Sequence, residues 1–163
     1  MPLALLLALA IWPFHGPDPA PARHQRVAGW VVETHRDRFT GHLTCQVHRG
    51  RVSVARKAVI FHFPVRIDTF DAAYRIDGGP LWRARDDAAE LASMGFGLHD
   101  DDNLDNPSGG IVRIPASRLA GAHWVRIEAG PYAKAYQFAL AGLDGALDVA
   151  SNRGCDSIGE PER

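Results

Sequence analysis

The amino-acid sequence predicts a mostly β fold, an antiparallel β-sandwich or a partly open barrel with one short mid-chain helix and a C-terminal helix. Short segments in which apolar and polar residues alternate dominate the chain after residue 22, and glycines and prolines separate them, as in all-β domains. The βαβ alternation of a nucleotide-binding sheet is missing from the sequence. With 163 residues, 46% of them hydrophobic, the chain suits one β-rich domain at residues 23–155.

The first 22 residues are predicted to be a secretory signal peptide. Residues 1–14 are apolar without a charged side chain, which is too short for a membrane span of about 20 residues but suits a signal-peptide core. Ala20 and Ala22 supply the small residues that signal peptidase requires, so cleavage is expected after Ala22. An uncleaved anchor or a buried apolar arm is the alternative. We therefore expect a periplasmic or secreted protein with no stable membrane span.

The first strands surround a cysteine. In residues 42–48, Leu43, Cys45 and Val47 share one face of the alternating pattern, which predicts a half-buried strand with the Cys45 sulfur directed inward. A short strand at residues 30–33 is expected before it, joined by a polar connection.

Further strands follow at intervals that suit a sheet protein. Pro64 ends one of them, and Gly78 and Gly79 predict the tight turn of a hairpin because glycine reaches positive φ. Gly130 and Pro131 predict another turn. The expected strands are residues 52–54, 58–63, 73–77, 80–83, 111–114, 124–128 and 135–140.

Two segments are predicted to be helices. Residues 86–94 begin with aspartates, contain alanines and precede Gly95, which predicts one short helix. Residues 143–152 carry apolar side chains at spacings of three and four, which predicts a helix with one buried stripe. Gly154 can end this helix, and residues 156–163 are expected to form a flexible tail.

The two cysteines, Cys45 and Cys155, are predicted to form a disulfide, because an even pair in an exported protein is typical of a bridge. Two buried free thiols are the alternative. The chain-entropy model assigns closure of so long a loop about 4–5 kcal/mol of stability. A zinc site is less favoured, since the close cysteine pairs that structural zinc uses are missing.

Charge and motifs exclude several function classes. The chain has 18 basic and 19 acidic residues, so no positive surplus is available for a phosphate backbone, and nucleic acid is not an expected partner. The sequence contains no Walker loop, dinucleotide fingerprint or Gly-x-Ser-x-Gly elbow. No cofactor, no metal and no catalytic residue is therefore predicted.

The histidines and one acidic loop are the candidates for a metal-binding or catalytic site. His42 and His48 lie about 20 Å apart on one predicted strand, too far to share a metal. The residues His35, His62, His99 and His123 are separate in sequence. The stretch from Asp100 to Asp105 offers oxygen ligands but departs from the calcium-loop pattern, which favours a solvated loop.

A possible binding surface is predicted around the central hairpin, where arginines lie beside aromatic residues in sequence. Arginine, tyrosine and tryptophan are enriched at protein interfaces. A solvated sheet face with weak ion pairs is the alternative. The residues of this predicted surface are Arg66, Tyr74, Arg75, Asp77 and Trp82.

Several short motifs resemble one family. Trp30, the segment Asp37-Arg38-Phe39-Thr40-Gly41, Cys45, the stretch 74–77 and the stretch 138–143 are similar to the small exported alphaproteobacterial proteins of the invasion-associated locus B family. The resemblance covers most of the chain after residue 22. It implies a sandwich-like exported protein with no known catalytic residues. The sequence lacks the further mid-chain cysteine pair that such proteins often carry.

Two function classes follow. The first is an exported, non-enzymatic envelope protein with a binding or interaction role toward a protein or a small envelope ligand, including an adaptor that adds an edge strand to a partner's sheet. The alternative is a small hydrolase or metal-dependent enzyme built from the scattered histidines and the Asp100 to Asp105 loop. Convergence of three or more of these side chains would favour the enzyme.

Overall fold

The described residues form two antiparallel sheets. This arrangement confirms the predicted mostly β fold and is sandwich-like, not a closed barrel. The computed structural model describes residues 23–69, 71–96, 109–128 and 134–159. The predicted signal peptide at residues 1–22, His99, the Asp100 to Asp105 loop and the Gly130–Pro131 turn lie outside the described residues.

The larger sheet has the strand order β1-β2-β3-β4-β5-β8, and β11 pairs with β3 in parallel. Successive hairpins build it from β1 to β5, and β8 joins its far edge. Its strands are β1 (Arg23–Val27), β2 (Trp30–Arg36), β3 (Leu43–Arg49), β4 (Val52–Ala55), β5 (Ala58–His62), β8 (Ile111–Pro115) and β11 (Ser157–Ile158).

The smaller sheet has the order β10-β9-β6-β7. The hairpin predicted between β6 and β7 is present, but its central turn residues are Asp77 and Gly78, with φ of 47° and 75°, rather than the two glycines. The Gly79 amide donates to the Ile76 carbonyl at 2.8 Å and closes this turn. The strands are β6 (Ala73–Ile76), β7 (Trp82–Arg83), β9 (Trp124–Glu128) and β10 (Ala135–Ala139).

Both predicted helices are present. The short helix α1 spans Ala88–Ser93, and a 3-10 turn at Ala84–Asp87 occupies the start of the predicted segment. A second 3-10 turn, Ala116–Leu119, follows β8. The C-terminal helix α2 spans Leu143–Asn152, as its apolar stripe predicts.

The core lies between the sheets and beneath α2. Phe61 of β5 and Phe63, which directly follows that strand, meet Phe138 of β10 at ring-centroid distances of 5.0 and 5.6 Å, which joins the sheets. The buried stripe of α2 covers the other half of the larger sheet, against β2 and β3. The outer face of the larger sheet carries mostly polar side chains, among them Glu33, His48 and Ser53.

Two short strands differ from the prediction. Strand β1 was not expected, because its sequence RHQRV contains one apolar residue and shows no alternation. The first part of the predicted tail instead forms β11, which lies beside the half of β3 that β4 does not reach. Backbone pairing with β3 orders a segment whose side chains alone gave no strand pattern.

A disulfide joins Cys45 and Cys155, whose Cα atoms are 5.7 Å apart. It ties the segment after α2 to β3, and the Asp156 amide adds a hydrogen bond to the Leu43 carbonyl at 2.8 Å. None of the helices in the described ranges has the length and apolar character needed to cross a membrane.

Candidate functional site

The residues predicted to form a binding surface do not share one face. Arg66 and Arg75 are exposed, and the Arg75 guanidinium donates to the Gly79 carbonyl at 2.9 Å. Tyr74 is buried, with 1% of its surface exposed, and Trp82 is half-buried opposite it. Since alternate residues of β6 face opposite ways, Tyr74 and Arg75 cannot contact the same partner surface.

Asp77, the remaining member of that set, is exposed and holds the hairpin to β9. Its carboxylate accepts hydrogen bonds from the amides of His123 at 3.1 Å and Trp124 at 2.9 Å. The hydrogen bond from the His123 amide, followed by that from Trp124, lowers the pKa of Asp77, although partial desolvation opposes this. The Asp77 carboxylate therefore makes its hydrogen bonds within the chain, where it has a structural role.

Tyr74 belongs to a buried polar cluster that the sequence did not indicate. The Tyr74 hydroxyl donates to one oxygen of Asp87, which is fully buried, and the Arg118 Nε donates to the other. The Arg118 guanidinium also lies 4.3 Å from the ring centroid of Trp82. Both carboxylate oxygens thus have donors, which links β6, the 3-10 turns and β7.

Burial governs the titration of this cluster. Burial raises the pKa of Asp87, and the hydrogen bonds from Tyr74 and Arg118 oppose it only in part. Burial, followed by the contact with Asp87, also raises the pKa of Tyr74. Since the Tyr74 hydroxyl and both Asp87 oxygens already have partners in the chain, the cluster is a structural element rather than an open site.

Three histidines surround one carboxylate on the outer face of the larger sheet. Glu33 on β2 lies opposite His24 of β1, and His24 Nδ1 is 3.1 Å from Glu33 Oε1. His48 Nε2 of β3 lies 3.5 Å from the same oxygen, and His35 Nε2 lies 3.5 Å from Oε2. The sheet thus gathers residues that are 24 positions apart in sequence.

This cluster is a histidine-capped carboxylate rather than a metal centre. Desolvation favours neutral Glu33, but the hydrogen bond from His48 and the charges of His24 and His48 outweigh it, so the pKa of Glu33 is lowered. The imidazoles contact the carboxylate oxygens and do not meet around a common point. Within the described ranges no three histidine, cysteine or acidic side chains are placed to hold a metal ion.

The other described histidines each have a separate partner. His42 Nδ1 lies 3.1 Å from Asp156, His123 Nδ1 lies 3.5 Å from Asp77, and His62 Nε2 lies 3.0 Å from the Ser53 hydroxyl. The convergence that the enzyme alternative requires is thus not found among these residues. His99 and the Asp100 to Asp105 loop, the other elements of that alternative, are outside the described ranges.

The β2–β3 loop, residues 37–42, is an exposed segment with several internal hydrogen bonds. Asp37 Oδ1 accepts hydrogen bonds from the amides of Phe39 at 2.8 Å and Thr40 at 2.6 Å and from the Thr40 hydroxyl at 2.9 Å. The Asp37 amide donates to the His42 carbonyl at 2.8 Å. The Thr40 amide contributes most to lowering the pKa of Asp37. One carboxylate therefore fixes the loop backbone.

This loop places Phe39 almost completely in water. The side chain is 98% exposed, about twice the exposure of Val65 or Leu81, the other exposed large apolar residues in the described chain. Arg38 beside it is also exposed. An aromatic ring on an ordered backbone is suited to insertion into a partner's pocket.

Phe39 lies in the Asp37-Arg38-Phe39-Thr40-Gly41 motif but is not among the residues of the binding surface that the sequence predicts. The indication was present in the segment Asp-Arg-Phe-Thr-Gly, because an Asx turn forms where aspartate precedes backbone amides that it can accept. A single apolar residue inside such a turn has no neighbours to bury it. Its exposure could therefore have been predicted from local sequence.

Comparison with known proteins gives no relative. No protein-family model matches the chain, and no curated protein or solved structure matches it either.

Proposed function

We propose that the chain is an exported, non-enzymatic protein of the periplasm or the extracellular space, and that its β2–β3 loop docks onto a protein partner. The observation that carries the proposal is the 98% exposure of Phe39 on a loop whose backbone amides are hydrogen-bonded to Asp37.

The energetics favour a binding role for this ring. Burial of a phenylalanine side chain is worth about 1.5–3 kcal/mol, and here the folded chain gains none of it. Binding would recover that free energy. Because Asp37 already orders the backbone, little conformational entropy would be lost on docking.

The charges around the loop indicate the chemistry of the partner. Arg36 and Arg38 flank Asp37, and both are exposed. The loop itself supplies the three donors that hydrogen-bond to Asp37 Oδ1. The expected partner surface is an apolar pocket with carboxylates at its rim, which would meet the arginines as Phe39 enters.

Export is supported by the apolar stretch at residues 1–14 and by the disulfide. Disulfides persist in oxidising compartments and are rare in the cytosol. The test is the intact mass of protein recovered from the periplasmic fraction and from the medium. We expect the mass of residues 23–163 less two hydrogens. A full-length cytosolic protein with two alkylatable thiols would refute export.

The docking site is tested by photo-crosslinking in intact cells. A benzoylphenylalanine at position 39 replaces one aromatic ring with another, and the same residue at exposed Gln137 on β10 serves as the control. We expect a discrete crosslinked product from position 39 that is missing from position 137.

A loop variant separates docking from simple exposure. Asp37→Ala leaves Phe39 in place but removes the carboxylate that orders the backbone, so the crosslinked product should weaken severalfold. Equal crosslinking from both positions, or a product insensitive to Asp37→Ala, would contradict docking through this loop.

A further inference from the structure

A second feature of the outer sheet face is a buried arginine that has no counter-charge among the described residues. Only 9% of the surface of Arg113 on β8 is exposed. Within the part of the chain that the structure describes, its buried Nε has no hydrogen-bond partner and its guanidinium pairs with no carboxylate. Asp87, the other buried charged residue of the described chain, has both oxygens occupied.

The acidic groups on two elements that pack against β8 are used elsewhere. The 3-10 turn at Ala84–Asp87 and helix α1 pack against β8, and they carry Asp86, Asp87 and Glu90. Asp86 accepts from the Arg83 amide at 3.0 Å. Asp87 accepts from Tyr74 and Arg118, and Glu90 Oε1 accepts from the Ser117 hydroxyl at 2.8 Å. None of these carboxylates contacts Arg113.

Two guanidinium groups instead share one aromatic ring. The guanidinium carbon of Arg113 lies 5.3 Å from the ring centroid of Phe96, and that of Arg56 lies 5.4 Å from the same centroid. Arg56 donates to the Gly95 carbonyl at 3.0 Å, which leaves its remaining donors for other contacts. Positive charge is therefore concentrated around Phe96.

The backbone of Arg56 has a positive φ, a conformation that residues other than glycine seldom adopt. Arg56 and Lys57 form the β4–β5 turn with φ of 54° and 102°, values that favour glycine or asparagine. Strained residues of this kind persist where the side chain has a use. In this structure the strained turn holds the Arg56 guanidinium over Phe96.

An arginine cannot relieve its burial by losing a proton, because it stays charged at any physiological pH. A buried charge is costly without a partner of opposite sign. The contact with Phe96 is a cation–π interaction, which compensates only in part. An anion with at least two oxygens would supply the missing acceptors.

We propose that Arg113 and Arg56 form an oxyanion-binding site beside Phe96, for a ligand that carries a carboxylate or a phosphate group. Arg113 supplies the buried donor and Arg56 the second, more accessible charge. The site lies at the β8 side of the larger sheet and is independent of the β2–β3 loop.

The test is a titration followed by the NMR resonance of the Arg113 Nε–H group, assigned with Arg113→Lys. Inorganic phosphate and acetate are the probes, at an ionic strength kept constant with sodium chloride. We expect a saturable shift, and the probe that binds more tightly distinguishes a phosphate ligand from a carboxylate ligand.

Arg56→Gly is the informative variant because glycine suits positive φ. It should raise the midpoint of thermal unfolding while it weakens anion binding about tenfold, which is the loss expected for one charged contact. Arg126→Ala, at an exposed position of β9, should leave both quantities unchanged.

Three results would overturn the site. The first is no saturable shift with either probe, and the second is an equal shift with chloride alone, which would mean an adventitious ion only. The third is a shift of the Arg113 resonance, without added anion, when Asp100, Asp101, Asp102 and Asp105 are replaced by asparagine. That result would assign the counter-charge to the chain itself.

Discussion

The carboxylates of Asp37 in the β2–β3 loop and Asp87 beneath the smaller sheet both accept hydrogen bonds from their own chain, but their pKa values shift in opposite directions. Three hydrogen bonds within the exposed loop lower the pKa of Asp37. Asp87 accepts from Tyr74 and Arg118, yet burial raises its pKa. Accepting hydrogen bonds is therefore not enough to predict whether the pKa of a carboxylate falls or rises. For Asp87 the cost of desolvation decides the direction of the shift.

The two regions also differ in what they organise. Asp87 connects elements that are far apart in sequence, so its loss should affect the whole fold. Asp37 orders its own loop and should affect mainly what the loop presents. The following variants test this difference.

The largest effect is expected from Asp87→Ala. It leaves the Tyr74 hydroxyl and Arg118 Nε without their acceptor, and two such losses cost about 3 kcal/mol of unfolding free energy. Asp87→Asn should cost less, because it keeps one acceptor and removes a charge that burial disfavours. Urea unfolding measures the free energy of unfolding of both variants. Asp71→Asn, at an exposed position, is the control. A stable Asp87→Ala protein would mean that the cluster contributes nothing to the fold.

Tyr74→Phe should cost about 1 kcal/mol, the typical contribution of one buried hydrogen bond. The ring stays in the core and only the donor to Asp87 is lost. In the double variant with Asp87→Ala the two costs should not add, since the same bond is removed twice. Additive costs in urea unfolding would show that the Tyr74 hydroxyl has another role.

The pH dependence of stability should have opposite signs for the two aspartates. A lowered pKa makes Asp37 stabilising above the ordinary aspartate value of about 3.9, and this contribution is lost as pH falls through its folded-state pKa. The raised pKa of Asp87 has the reverse effect, because its contribution is present below about 3.9 and is lost as pH rises through its folded-state pKa.

Unfolding free energies of the wild type, Asp37→Asn and Asp87→Asn across acidic to neutral pH measure these slopes. The difference between wild type and Asp37→Asn should widen as pH rises, and the difference for Asp87→Asn should narrow. If both stability differences changed with pH in the same direction, the opposite pKa shifts of Asp37 and Asp87 would be contradicted.

The smallest effect on stability is expected from Phe39→Ala. The ring contacts almost nothing in the folded chain, so the unfolding free energy should change by less than about 0.5 kcal/mol. Crosslinking from benzoylphenylalanine at position 38 should nevertheless fall strongly. A clear loss of stability would show that Phe39 packs within the protein, and unchanged crosslinking would contradict docking through the ring.

Much of the fold could be predicted from local pattern. Alternation in β3 identified both its span and its inward Cys45, and the apolar stripe of α2 gave its bounds. Such patterns are informative because one face of each element is buried and the other is solvated. The disulfide also followed from two cysteines in a chain with an export-like start.

The cluster around Glu33 and the cluster around Asp87 could not be found in the same way. Glu33 and His24 meet only because β1, which has no strand pattern, pairs with β2. Asp87 lies in a charged segment, and nothing local shows that Tyr74 and Arg118 close over it. Tyr74 and Arg75 are neighbours in sequence but lie on opposite faces, so the predicted surface combined a core residue with exposed ones.

The sequence by itself determined the strand alternation, the apolar face of α2 and the Asx turn that exposes Phe39, because each depends on residues a few positions apart. Only the tertiary structure decided which charges are buried, since burial depends on elements that meet from distant parts of the chain. Desolvation then sets the pKa of Asp87 and leaves Arg113 without a counter-charge in the described chain, and neither result follows from residue type alone.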